Sequence, residues 1–149
     1  MKPDMGRLLE VAAGHLMGTT APLLGEAYEQ SNVSVLGMML MAVREEHERA
    51  AARRVEENQE LRRMFARASA VVGTGGLSEK LAAAAEAEDT DLAVSALEAS
   101  NAELRGLLVE LHAAVEETDS PEARTLEEEI WRELAASTRR RSLPTLGDT

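Results

Sequence analysis

Apolar positions along this chain return in steps of three and four, the repeat of an α-helix with one buried stripe. Leu8, Leu9, Val11, Ala12 and Leu16 open the pattern, behind a start signal at Pro3 and Asp4 with Asp4 as N-cap. Gly18, Thr19, Thr20, Ala21 and Pro22 interrupt it. Thr20 then has the place of a new N-cap, with Pro22 in the first turn, where its missing N–H costs nothing. A short helix carrying Leu23, Leu24, Ala27 and Tyr28 is predicted to give way to a further cap at Ser31 and Asn32.

Residues 33–72 hold no proline and one glycine, Gly37. An unbroken helix there would reach ~60 Å at 1.5 Å per residue, so a kink or break is predicted. Gly73, Gly75 and Gly76 end it, supplying the positive φ of a helix terminus. A short alanine-rich helix follows over 77–87, with Ser78 near its start. Glu88, Asp89, Thr90 and Asp91 are expected to cap a helix running to about Glu117. Ser120 and Pro121 then stand as N-cap and first residue of a last helix, with Leu126, Ile130 and Leu134 at steps of four. Arg139, Arg140 and Arg141 complement its negative end. The expected fold is all-α, an antiparallel up-and-down helical bundle of four main helices plus one or two short ones. Residues 1–141 are expected to form a single domain, and 142–149 a disordered tail.

Two stripes contain an asparagine. One runs Ala51, Val55, Asn58, Leu61, Phe65, Ala68 and Val72, and four residues earlier it reaches His47. The other runs Leu97, Asn101, Leu104, Leu108, Leu111 and Val115. Their surroundings share the pattern N-x-E-L-R, at 58–62 and 101–105. A buried amide without partners costs ~1–3 kcal/mol, so two amides facing each other would satisfy one another and set helix register. The alternative is a small-ligand pocket of His47, Asn58, Arg62, Asn101 and Arg105, whose arginines would suit an anion.

Composition narrows the function. Aromatics are 2 % and alanine, leucine, glutamate and arginine dominate, which disfavours a β fold. Alanine richness and arginine over lysine point to a high-GC bacterial genome. Cysteine is absent, excluding disulfides, thiolate zinc sites and a cysteine nucleophile. The net charge of −11 makes the chain a poor binder of nucleic acid or anionic lipid. No apolar run approaches the ~18 residues of a membrane span, and no signal-peptide layout occurs, so a cytoplasmic protein is expected. Residues 73–119 hold eleven acids and two bases, a solvated face or a docking surface for a basic protein partner.

Chemical motifs are missing. Neither G-x-S-x-G nor H-E-x-x-H occurs, and the glycines at 73–76 lack the Gly-Lys-Ser/Thr of a phosphate loop. Carboxylate-bridged di-iron bundles need Glu-x-x-His, but Ala12, Arg44 and Val109 stand three residues before His15, His47 and His112. These histidines are expected at partly buried or boundary positions, and the lone Tyr28 and Trp131 in core or interface packing. No catalytic residue, metal or cofactor is therefore expected. A metal-dependent enzyme using the histidines is the weakest alternative. Over 33–43, Met38, Met39 and Met41 alternate with Leu36, Leu40 and Val43 and cover more than one helix face. Such a helix buries its second face against another chain, so Leu36, Met38, Met39 and Met41 are the expected homodimer interface. The leading expectation is a non-enzymatic, homodimeric accessory protein acting by protein–protein contact.

Overall fold

The structure, a computed structural model, describes residues 4–73 and 75–142. It is all-α, with no strand among the described residues. Helix α1 (Met5–His15) is followed by a π-helical turn (Leu16–Thr20) and a 3-10 turn (Ala21–Leu23). Then come α2 (Ala27–Val71), α3 (Gly76–Glu86), α4 (Val94–Glu116) and α5 (Pro121–Arg140). None of these helices is long and apolar enough to cross a membrane. The expected tail falls mostly on 143–149, outside the described residues.

The punctuation is followed in part. Asp4 and Ser120 are N-caps, their side chains accepting from the backbone N–H groups of Arg7 and Ala123 at 3.0 Å. Pro22 sits in the first turn of the 3-10 segment, but Thr20 makes no side-chain cap. Ser31 and Asn32 cap nothing. Helix α2 starts before them at Ala27, after the Gln30 side chain has closed on the Leu24 carbonyl at 2.6 Å. Helix α2 also runs without the predicted break, because no proline removes a hydrogen bond and Gly37 alone costs only ~1 kcal/mol. Gly73, with φ of +76°, follows its end. Helix α4 starts at Val94 with no side-chain cap of its own. Asp91 instead accepts from the Ala93 N–H at 2.8 Å, and Asp89 is drawn elsewhere.

The chain divides into two units, Met1–Ala50 with Ser142–Thr149, and Ala51–Arg141. In the N-terminal unit α1 and the first part of α2 form an antiparallel hairpin. A Cβ added to Gly6 would meet Arg44 and Glu48, and one added to Gly37 would meet Met17 and the Ala13 carbonyl. The apolar side chains buried in this unit are alanines, Ala13, Ala21 and Ala50. Leu8 and Val11, expected on a buried face, are about half exposed.

The C-terminal unit has a full core. Leu61, Met64, Phe65 and Ala68 of α2 meet Leu81 of α3, Leu104, Leu108, Leu111 and Val115 of α4, and Ala123, Leu126 and Ile130 of α5. All six members of the α4 stripe are buried. Each large side chain removed from water stabilises by about 1.5–3 kcal/mol. Pairings fix the helix directions. Glu56 meets Arg140 and Arg67 meets Glu129, so α2 and α5 run antiparallel. Arg54 meets Glu98 and Asn58 meets Asn101, so α2 and α4 run the same way.

Candidate functional site

The most elaborate polar arrangement lies inside the C-terminal unit, where the core stripes of α2 and α4 carry hydrophilic side chains. Asn58 and Asn101 are 0 % and 1 % exposed. They meet: Asn101 Nδ2 donates to Asn58 Oδ1 at 2.9 Å. Asn58 Nδ2 donates to Asp89 Oδ2 at 3.1 Å and to the Leu97 carbonyl at 3.3 Å. Asn101 Oδ1 accepts from Arg105 Nε at 3.0 Å and from Arg141 Nη2 at 3.3 Å. Both amides are thereby satisfied without water or ligand.

The arrangement has a charged centre that sequence reasoning missed. Glu57, 1 % exposed, accepts from Ser137 Oγ, Arg141 Nε, Arg141 Nη2 and Arg54 Nη1, each at 2.9 Å. Burial alone would push its carboxyl up. Hydrogen bonds from Arg141 and Ser137, with the charges of Arg141 and Arg54, outweigh burial and hold it at about 2. Arg105 completes the group, donating to Ser137 Oγ at 2.6 Å and lying 3.9 Å from Glu57 Oε2. Burial lowers the Arg105 guanidinium, whereas the hydrogen bonds from Arg141 to Glu57 raise that of Arg141. The missed signal was the spacing. Glu57 lies four residues before Leu61 and seven before Met64, a second core line beside the Asn58 stripe.

A second ion pair flanks the first group. Arg62 donates from Nη1 and Nη2 to the two oxygens of Asp89, at 2.8 and 2.9 Å. Ser100 Oγ bridges them, accepting from Arg62 at 3.0 Å and donating to Asp89 at 2.8 Å. Hydrogen bonds from Arg62, opposed by burial and helped by Asn58 and Ser100, hold the Asp89 carboxyl at about 2. Surface hollows of about 500 and 580 Å³ lie on either side of Arg62. Neither is lined by Asn58 or Asn101.

Of the five residues expected to line a ligand pocket, four come together: Asn58, Arg62, Asn101 and Arg105. His47 does not join them. It belongs to the N-terminal unit and is exposed, because the apolar stripe does not extend back past Ala51. His15 is exposed too, and His112 is half-buried, so only His112 sits at the expected boundary. Tyr28 and Trp131 are 78 % and 57 % exposed rather than in the core. The expected interface residues Leu36, Met38 and Met39 are 53 %, 43 % and 57 % exposed, while Met41 is half-buried. Within the acidic segment Asp89 is neutralised by Arg62, Glu98 pairs with Arg54 and Glu110 with Lys80. Glu79, Glu86, Glu88, Asp91, Glu103 and Glu117 are exposed.

Comparisons with protein-family models, with curated proteins and with solved structures returned no significant match.

Proposed function

We propose that this protein works by protein–protein contact, without catalysis, and that a second copy of the chain covers the apolar face of its N-terminal unit. One observation carries the reading: among the described residues of this unit the fully buried apolar side chains are alanines, Leu9, Leu16 and Leu40 are half-buried, and other large ones face solvent. Leu8 and Val11 of α1 and Val35, Leu36, Met39 and Val43 of α2 are each between 44 % and 57 % exposed. A hairpin of two helices cannot enclose a core by itself. Two such hairpins supply four helices, and a two-fold arrangement lets one patch serve both copies. The acid excess lies mainly in 73–119, outside the residues of this unit. Leu36, Met39 and Val43 stand at steps of three and four on one face of α2, and exposed apolar side chains grouped in this way are the ordinary mark of an interface.

The polar cluster of the C-terminal unit supports the non-catalytic part of the reading. Its amides and carboxylates find their partners within the cluster, the carboxylates chiefly in Arg141, Arg54, Arg62, Ser137 and Ser100. A carboxyl held at about 2, as in Glu57, stays ionised at neutral pH and is poorly matched to proton transfer there. Its role in this reading is to hold α2, α4 and α5 in register.

Sedimentation velocity on the full chain tests the proposal. The wild type is expected at twice the chain mass. Leu36→Glu combined with Met39→Glu is expected at the single-chain mass with helical circular dichroism retained. A wild type that stays at the single-chain mass at high concentration overturns it.

A further inference from the structure

Outside the buried polar cluster, metal-ligating side chains gather at the end of α4. His112 and Glu116 are four residues apart, one turn along the same helix face. Helix α5 brings Glu127 to them, and one ligand atom from each of the three lies within 4.8 Å of the others. The geometry points to a binding site for a single first-row divalent cation, Zn²⁺ foremost, held by His112, Glu116 and Glu127. This inference concerns a different part of the fold from the apolar face and stands or falls separately from the dimer.

An independent observation aims at a ligand. His112 Nε2 is fully covered yet has no hydrogen-bond partner. The nearest carboxylate oxygen, Glu116 Oε1, is 3.7 Å away, too far for a hydrogen bond. Two ligands of a tetrahedral ion with bonds of ~2.1 Å stand about 3.4 Å apart. The 3.7 Å between His112 and Glu116 is already close to this, and the other separations, no greater than 4.8 Å, close by glutamate side-chain rotation. A bound cation would give the covered nitrogen its missing partner and neutralise two carboxylates at once.

The donor set selects the ion. An imidazole with two carboxylates suits zinc and its neighbours, whereas magnesium and calcium favour all-oxygen sites. Trp131 meets the His112 ring edge-on, with centroids 5.3 Å apart and planes at 86°, which restrains the imidazole. Three protein ligands leave the fourth position to water. The ion would cross-link α4 to α5 beside the short connection at 117–120.

Trp131 is the only tryptophan, so its fluorescence reports the site. The experiment titrates the full chain with Zn²⁺ by calorimetry and with Ni²⁺ by fluorescence quenching, with Mg²⁺ as control. One ion per chain is expected, with a raised thermal midpoint in Zn²⁺ and no response to Mg²⁺. Glu116→Gln and Glu127→Gln, both outside the core, should each weaken binding by roughly tenfold or more, since even outer partners of metal sites carry that much. A variant with both His15→Asn and His47→Asn should bind as the wild type does. Absence of one-to-one binding overturns the proposal. So does binding that survives both glutamine substitutions unchanged, or that disappears with His15 and His47.

Discussion

Glu57 and Arg141 form a two-pronged ion pair, Arg141 Nε to Oε1 and Nη2 to Oε2, both at 2.9 Å. It joins the middle of α2 to the residue that closes α5. The arginines at 139–141 read in sequence as cations placed against a helix end, yet Arg141 reaches Glu57, and Arg140 pairs with Glu133 at 2.8 Å and Glu56 at 3.1 Å. Removing Glu57 would leave Arg141, Arg105 and Arg54 with a deficit of negative charge around a buried hole. Glu57→Ala is expected to destabilise by on the order of 3 kcal/mol. Arg141→Ala should cost less, because that side chain is 39 % exposed and water screens it. Urea denaturation of the three proteins gives the ordering. Equal losses would contradict the central place of the carboxylate.

Acid should weaken the C-terminal unit in a definite window. Glu57 and Asp89 are held at about 2, against ordinary values of 4.5 and 3.8. The unfolded chain therefore takes up protons at a pH where the folded chain does not. Their stabilisation is fully present above about pH 5 and is lost as the pH falls toward 2, on the order of 2 kcal/mol for each group. Denaturation midpoints measured from pH 7 to 2.5 should fall along this slope. Glu57→Gln with Asp89→Asn should start lower and show a flatter dependence. A double variant with the wild-type slope would remove these two groups as its source.

The asparagine pair predicts strong coupling. Asn58→Leu takes the 2.9 Å partner from Asn101 Nδ2 and leaves it the longer 3.5 Å contact with Glu57, and Asn101→Leu strands Asn58 Oδ1. Each single change is expected to cost about 1–3 kcal/mol. The double change replaces both amides with apolar groups, so its cost should fall short of the sum by ~1 kcal/mol or more. Additive costs would mean that the two amides do not act as a unit.

How far the sequence carried this fold follows from what periodicity can see. Steps of three and four located the α4 stripe, and the amides at 58 and 101 could be matched because both stood on apolar lines. Charged partners were invisible for the opposite reason. Glu57 is flanked by Glu56 and Glu60, and Asp89 by Glu88 and Asp91, so each looked like one more solvated acid. Only packing against Ser137, Arg141 and Arg62 separates them from their neighbours. His47 was misplaced because helical spacing continues past the point where neighbouring helices stop. The start of α2 was misread because Ser31 and Asn32 have capping chemistry, whereas capping also requires the chain to turn.

Gly37 offers a test of the hairpin that carries the proposed interface. A Cβ built there overlaps the Met17 side chain and comes within 3.2 Å of the Ala13 carbonyl oxygen. The first neighbour is flexible and rotates away; the second is backbone and moves only if α1 shifts. Gly37→Ala thus combines a helix-propensity gain of ~1 kcal/mol with a packing loss of similar size, and should change stability little. Gly37→Val adds two methyl groups to the same crossing with less propensity to offset them, and should destabilise by about 1–3 kcal/mol. Gly37→Val should loosen the hairpin, while the buried Leu61–Phe65 stretch of the other unit keeps its amide protection in hydrogen exchange. Equal loss of protection in both units would show that the hairpin and the C-terminal core unfold as one.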